Sequence, residues 1–100
     1  MTIEFEWDEE KREANLAKHG IDFRDAIGVF DGIILETEDR RRDYGERRFQ
    51  ALGKVEGEVL YVVYTWRRRR CRIISARKAG HNEQEAYHAH LRRSGENDEG

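Results

Sequence analysis

The chain has 100 residues, 40% of them charged and 37% hydrophobic, which suffices for one domain with a modest core. Its net charge of −2 conceals a segregation: positions 1–39 hold 12 acidic and 4 basic side chains, positions 40–93 hold 6 acidic and 15 basic, and the stretch 94–100 adds three acids. A single cysteine excludes an internal disulfide, no apolar run approaches the roughly 18 residues of a membrane span, and no signal segment is visible, so a cytosolic domain is expected.

Thr2–Trp7 alternates Ile3, Phe5 and Trp7 with Glu4 and Glu6, the period of a half-buried strand with three side chains on the core side. Asp8 is a good N-cap, and Glu9 and Glu10 put negative charge in the first helical turn, where the dipole favours it. The spacing predicts a helix to Lys18 or His19, stopped at Gly20, with Ile21 placed for the apolar contact of a Schellman ending. Its apolar face is thin (Ala14, Leu16, Ala17), so this prediction rests on the caps. Asp22 caps a second predicted helix, Phe23–Phe30, which gathers Phe23, Ala26, Ile27 and Phe30 on one face and ends at Asp31-Gly32.

Ile33–Glu38 reads as a strand, Asp39–Gly45 as a charged loop, Arg47–Val55 as a third strand and Glu56-Gly57 as a tight turn. Val59–Trp66 and Cys71–Ala76, rich in β-branched and aromatic residues, flank Arg67–Arg70 as a hairpin. That turn lacks the Asn-Gly or Asp-Gly that would fix its type. Gly80 stands at an N-cap position with Glu83 three residues on, opening a short helix of about Asn82–Arg93. Ser94–Gly100 is polar and acidic and is expected to be disordered, leaving a single domain over 1–93. The order β-α-α-β-β-β-β-α predicts a small α+β fold: an antiparallel sheet with two N-terminal helices and one C-terminal helix packed on it.

A symmetric 67–70 turn puts Thr65 opposite Arg72 and Val63 opposite Ile74. A two-residue turn at Glu56-Gly57 puts Arg48 opposite Thr65 and Glu46 opposite Arg67. One face then carries Phe49, Ala51, Leu60, Val62, Tyr64, Trp66, Cys71 and Ile73, the expected core. The other gathers Glu46, Arg48, Arg67 and Arg72 at one end, above Leu52, Val63 and Ile74. A bulge or a one-residue slip would undo this placement.

Four consecutive arginines at a hairpin tip, with Arg72, Arg77 and Lys78 behind, suit an external polyanion, because clustered cations neutralise phosphates. The plainer alternative is a solvated, self-neutralising surface. A carboxylate among arginines suits attack by an RNA 2′-hydroxyl on its neighbouring phosphate: the hydroxyl loses a proton while guanidinium groups bind the phosphate bidentately and stabilise developing charge. Glu46 is the candidate general base, although neighbouring arginines would depress its pKa and weaken it in that role. Tyr44 and Tyr87 are candidate proton donors. Glu46 alternatively just pairs with Arg48 or Arg67 across the strands.

His19 falls in a helix's last turn, where it either complements the dipole or presents a proton to the basic face. Arg77 and Lys78 either finish a strand or bind phosphate. Tyr61, Tyr64 and Trp66 read as core packing rather than as a base-stacking platform. Cys71 reads as a small buried hydrophobe. With one cysteine, and with His88 and His90 two apart on a helix, neither a metal nor another cofactor is expected.

The runs FEWDEEKREANLAKHGIDF, DYGERRF–ALG and RIISARKA, in that order and spacing, resemble the BrnT family of type II toxin–antitoxin systems, over nearly the whole chain from Ile3 to Tyr87. The resemblance implies a RelE-like fold and metal-independent endoribonuclease activity that halts translation. It also implies neutralisation by a BrnA-like ribbon-helix-helix antitoxin, with operator DNA bound only through the antitoxin complex and no membrane partner. By the same resemblance Lys18, His19, Arg48, Arg67, Arg77 and Lys78 occupy motif positions. From residues and resemblance together, Glu46, Arg48, Arg67 and Arg77 are the candidate catalytic set, and Lys18, His19, Arg72 and Lys78 the candidate RNA-binding set. Two departures stand out: Arg42 replaces a histidine common in the family, and Gly80 replaces a threonine cap. A non-catalytic nucleic-acid-binding module and a subunit that only receives an acidic antitoxin segment are the alternatives.

Overall fold

The computed structural model describes residues 2–95. Expected disorder over 94–100 therefore lies mostly outside the described residues. Ser94 and Gly95 close the last helix, through Ser94 N–H to His90 O (3.0 Å) and Gly95 N–H to Arg92 O (3.1 Å).

Strand β1 (Glu4–Glu6) is shorter than predicted, and Ile3 is exposed while Phe5 and Trp7 pack on the core. Helix α1 (Glu9–His19) forms as its caps dictate. Asp8 accepts the N–H groups of Glu10 and Lys11, and Gly20 takes the left-handed conformation (φ 73°) and donates to Leu16 O. Its only buried residue is Asn15, which the apolar pattern gave no reason to notice. The second predicted helix is split into α2 (Phe23–Ala26) and a 3-10 segment over Ile27–Asp31. The tighter winding turns Val29, absent from the predicted face, wholly inward, where it meets Gly53; a Cβ on Gly53 would lie 2.7 Å from that of Val29.

Strands β2 (Leu35–Asp39), β3 (Arg48–Val55), β4 (Glu58–Arg67) and β5 (Arg70–Lys78) precede helix α3 (His81–Arg93). The sheet order is β1-β5-β4-β3-β2. Strands β2 to β5 pair antiparallel, but β1 runs parallel to β5, so the sheet is mixed rather than antiparallel as expected. No tight turn joins β1 to β5, so turn geometry did not dictate their direction. Among the described residues, no helix is long and apolar enough to cross a membrane.

Both faces of the sheet are covered. One face packs Leu60, Val62, Tyr64, Cys71 and Ile73 against Phe23, Ala26 and Val29. The other packs Leu52, Tyr61 and Val63 against Tyr87 and Leu91 of α3, whose Tyr87 hydroxyl donates to Ile33 O (2.8 Å). Burial on both sides explains the continuous apolar run of β4, buried from Val59 to Thr65. Trp66 was expected in the core but is 45% exposed, because the covering layer stops short of the hairpin tip and leaves it an edge contact with Tyr64. Tyr61 and Tyr64 are core residues on opposite faces.

Both tight turns use positive φ at two central residues, Glu56 (50°) with Gly57 (84°), and Arg68 (53°) with Arg69 (72°). This is the requirement of a type I′ hairpin, met at the second turn without any glycine. Thr65 faces Arg72 as expected, but Val63 faces Ser75 and not Ile74. The register shifts between Val63 and Tyr64, leaving Ile74 as the extra residue of a bulge.

Candidate active site

Helix α3 covers only the β3–β4 turn end of its face. Towards the 67–70 tip that face carries Arg48 on β3, Thr65 and Arg67 on β4, and Arg70 and Arg72 on β5. Thr65 is anchored by donating to Arg47 O at 2.6 Å. The bulge matters here. Strict alternation would set Arg72 and Arg77 on opposite faces; the inserted residue restores Arg77 to the face of Arg72, directly opposite Tyr61.

Glu46 is the carboxylate at the centre of this surface. It accepts from Arg48 Nε at 3.3 Å and from Arg67 Nη2 at 3.1 Å, so the expected Glu46–Arg67 apposition is present. Glu46 and Arg48 side chains are each 24% exposed and Arg67 50% exposed, so all three are open to a ligand. Partial burial would raise the Glu46 pKa, but hydrogen bonds and charge from Arg67 and Arg48 together hold it below the usual carboxylate range. Arg72 bonds Glu6 (3.1 Å), and Arg70 lies 3.2 Å from Glu4. Arg67, Arg68, Arg70 and Glu6 line a shallow depression of about 600 Å³ beside this cluster.

Arg77 stands further along the face. Its guanidinium makes two bonds to Glu83 (2.9 and 2.8 Å) and lies over the Tyr61 ring. Arg41 also acts electrostatically on Tyr61 and Arg77. Arg41 is fixed by Asp39, which receives its Nε and Nη2 at 2.8 Å each and the Tyr44 hydroxyl at 3.1 Å. Sequence reading passed over Asp39 and Arg41. The available signal was local: an aspartate two residues before an arginine whose backbone N–H it accepts, an Asx turn.

The other predicted residues are placed elsewhere. Lys18 and His19 end α1, which docks at the β5 edge through Asn15 rather than on the Glu46 face. Lys78 pairs with Glu58 (3.3 Å) at the far end of β5. Tyr87 is buried and its hydroxyl is committed to Ile33, whereas Tyr44 is beside Arg48, 4.2 Å from ring centroid to guanidinium carbon. Arg42 lies over the same ring at 5.7 Å. A second cleft, about 590 Å³, is lined by Asp22, Asp25, Asp31, Glu56 and Glu58 together with Arg24, and its net negative charge disfavours phosphate. Among the described residues no group of three His, Cys, Asp or Glu side chains is placed to hold a metal ion.

Fold and surface define a small α+β protein with a five-stranded mixed sheet, one half-face of which is lined with guanidinium groups around a carboxylate. The family model for the ribonuclease toxin BrnT of type II toxin–antitoxin systems matches residues 7–83, and the chain belongs to this family. Among solved structures it is similar to the crystal structure of the Brucella abortus ribonuclease toxin BrnT, at 30% identity and a TM-score of 0.60, covering 80% of this chain and 100% of that one. No curated protein matches significantly. Membership carries with it an RNA substrate and an antitoxin partner.

Proposed function

We propose that this chain is a RelE-like, metal-independent endoribonuclease that cleaves RNA by attack of a 2′-hydroxyl on the adjacent phosphate and thereby inhibits translation in the cytoplasm. The observation that carries the reading is the convergence of Arg48 and Arg67 on the partly exposed Glu46. A phosphate competes with Glu46 for the same donors, since guanidinium forks match both anions. As the two arginines transfer to the phosphate, Glu46 loses the partners that hold its pKa down and becomes a better base for the 2′-hydroxyl proton. The P–O5′ bond breaks, leaving a 2′,3′-cyclic phosphate, and the 5′ oxygen takes up a proton. Arg77 supplies further positive charge and Arg72, on the same face, serves the flanking RNA, whereas Lys18, His19 and Lys78 lie away from that face and take no part in the step.

The antitoxin is proposed to be a BrnA-like ribbon-helix-helix protein, through which alone the complex reaches operator DNA. One observation favours a second reading, a non-catalytic RNA- or antitoxin-binding subunit: Arg48, Arg67, Arg72 and Arg77 all have carboxylate partners already. Purified protein incubated with RNA separates the two. Cleavage should fall about 10²–10³-fold in Arg48→Ala or Arg67→Ala, the usual loss for a donor to developing charge. It should stop when the nucleotide 5′ to the cut is 2′-deoxy. Salt-sensitive binding without products would establish the second reading.

A further inference from the structure

We propose that Asp39 is a positioning residue of this site, holding the Tyr44 ring against the Arg48 guanidinium so that Arg48 meets the phosphate in a fixed orientation. The proposal rests on the ribonuclease reading above. Asp39 ends β2 directly opposite Arg48 on β3, yet its carboxylate goes elsewhere. Oδ2 accepts the Tyr44 hydroxyl (3.1 Å) and Arg41 Nη2 (2.8 Å); Oδ1 accepts Arg41 Nε (2.8 Å) and the Arg41 backbone N–H (3.1 Å). The side chain is 1% exposed, so these bonds are what makes a buried charge tolerable there. Arg41 is the main reason the Asp39 carboxyl stays far below its ordinary pKa, and burial opposes it.

The four bonds close the segment between β2 and β3 that carries both Tyr44 and Glu46. With its hydroxyl on Asp39, the far end of the Tyr44 ring is held in place, and Arg48 lies 4.2 Å from the ring centroid. Cation–π contact uses the face of a guanidinium and leaves its in-plane N–H groups for an anion. Arg48 Nε now donates to Glu46, and a stack through the guanidinium face leaves that in-plane donor free to pass to a phosphate. Arg48 therefore needs little reorganisation at the moment of reaction, the condition under which a donor contributes most to rate.

Asp39→Asn, Tyr44→Phe and their double variant in the full chain provide the test, with Tyr44→Phe as the milder change should Asp39→Asn unfold. In ¹⁵N-labelled protein the Arg48 Nε–H resonance, assigned by its loss in Arg48→Lys, should be displaced by the Tyr44 ring current and should move in each variant. In steady-state cleavage each single variant should lose about 10- to 100-fold in kcat, the scale of a small misplacement, with KM little changed. The double variant should lose no more than either single one, because both break the same link. An unmoved resonance in both single variants, or multiplicative losses in the double variant, overturns the proposal. If the unsubstituted protein fails to cleave RNA, the ribonuclease reading falls and this role falls with it. Normal cleavage with unchanged kcat in Asp39→Asn and Tyr44→Phe defeats the proposal alone.

Discussion

The guanidinium carbon of Arg77 lies 4.0 Å from the centroid of the Tyr61 ring, the residue directly opposite it across β4 and β5. Glu83, which holds the other side of that guanidinium, also accepts the Gly80 N–H (2.8 Å) and so caps α3 where glycine offers no side chain. Arg77 thus joins the sheet face that carries Glu46 and Arg48 to the first turn of α3. Arg77→Lys keeps the charge but loses the fork and the stack. RNA cleavage should fall at least tenfold, with a stability loss of only about 1 kcal/mol, measured by initial rates and urea unfolding. Unchanged rates would confine Arg77 to a structural role.

Asn15 acts on the sheet from outside it. Its side chain donates to Ala76 O (2.8 Å) and accepts from Ala76 N–H (3.1 Å), standing in for a neighbouring strand where β1 has ended. Asn15→Ala leaves both backbone groups buried and unpaired. The expected loss is about 3 kcal/mol of unfolding free energy in urea, since each such group costs about 1–3 kcal/mol.

Gly53 admits no side chain. Gly53→Ala would drive a Cβ to 2.7 Å from Val29 Cβ, forcing the 3-10 segment off the sheet. Overpacking of this kind costs about 1–3 kcal/mol, which a lowered denaturation midpoint would register.

Asp22 makes stability depend on acid. A hydrogen bond from Arg24 is the largest influence on its carboxyl; burial opposes it, but the Arg24 N–H and the charges of Arg24 and Arg12 bring the pKa down to about 2 from an ordinary 3.8. The folded value is the lower one, so the stabilisation is complete above the ordinary value and disappears as pH falls through about 2. Asp22→Asn should flatten that part of the unfolding free energy against pH. An identical slope in the variant would show that other carboxylates govern it.

Cys71 should be inert. It is wholly buried, and burial, with a smaller contribution from Glu36, pushes its thiol up to about 12. A thiol reagent at mildly alkaline pH should react only at the rate of unfolding.

What could be read from the chain depended on how local the determinant was. Asp8 and Gly20 bound α1 because a cap needs only its own turn. The Glu46–Arg67 pairing was legible because a two-residue turn fixes register along the two strands it joins. Ile74 was not: nothing in its type marks a bulge, and the shift there sets the side of the sheet on which Arg77 stands. Trp66 was misplaced because alternation names a face without saying how far the covering layer reaches. The parallel β1–β5 pair and the role of Asn15 join residues far apart in sequence, where spacing carries no information.

The left-handed pair Arg68 and Arg69 has a consequence of its own. Side chains other than glycine and asparagine resist this conformation by roughly 1–2 kcal/mol each. The hairpin therefore closes against local preference, and Asn-Gly at these positions would tighten it while stripping two exposed cations from its end. Charge at the apex and ease of hairpin closure are opposed here, and the toxin has settled on charge.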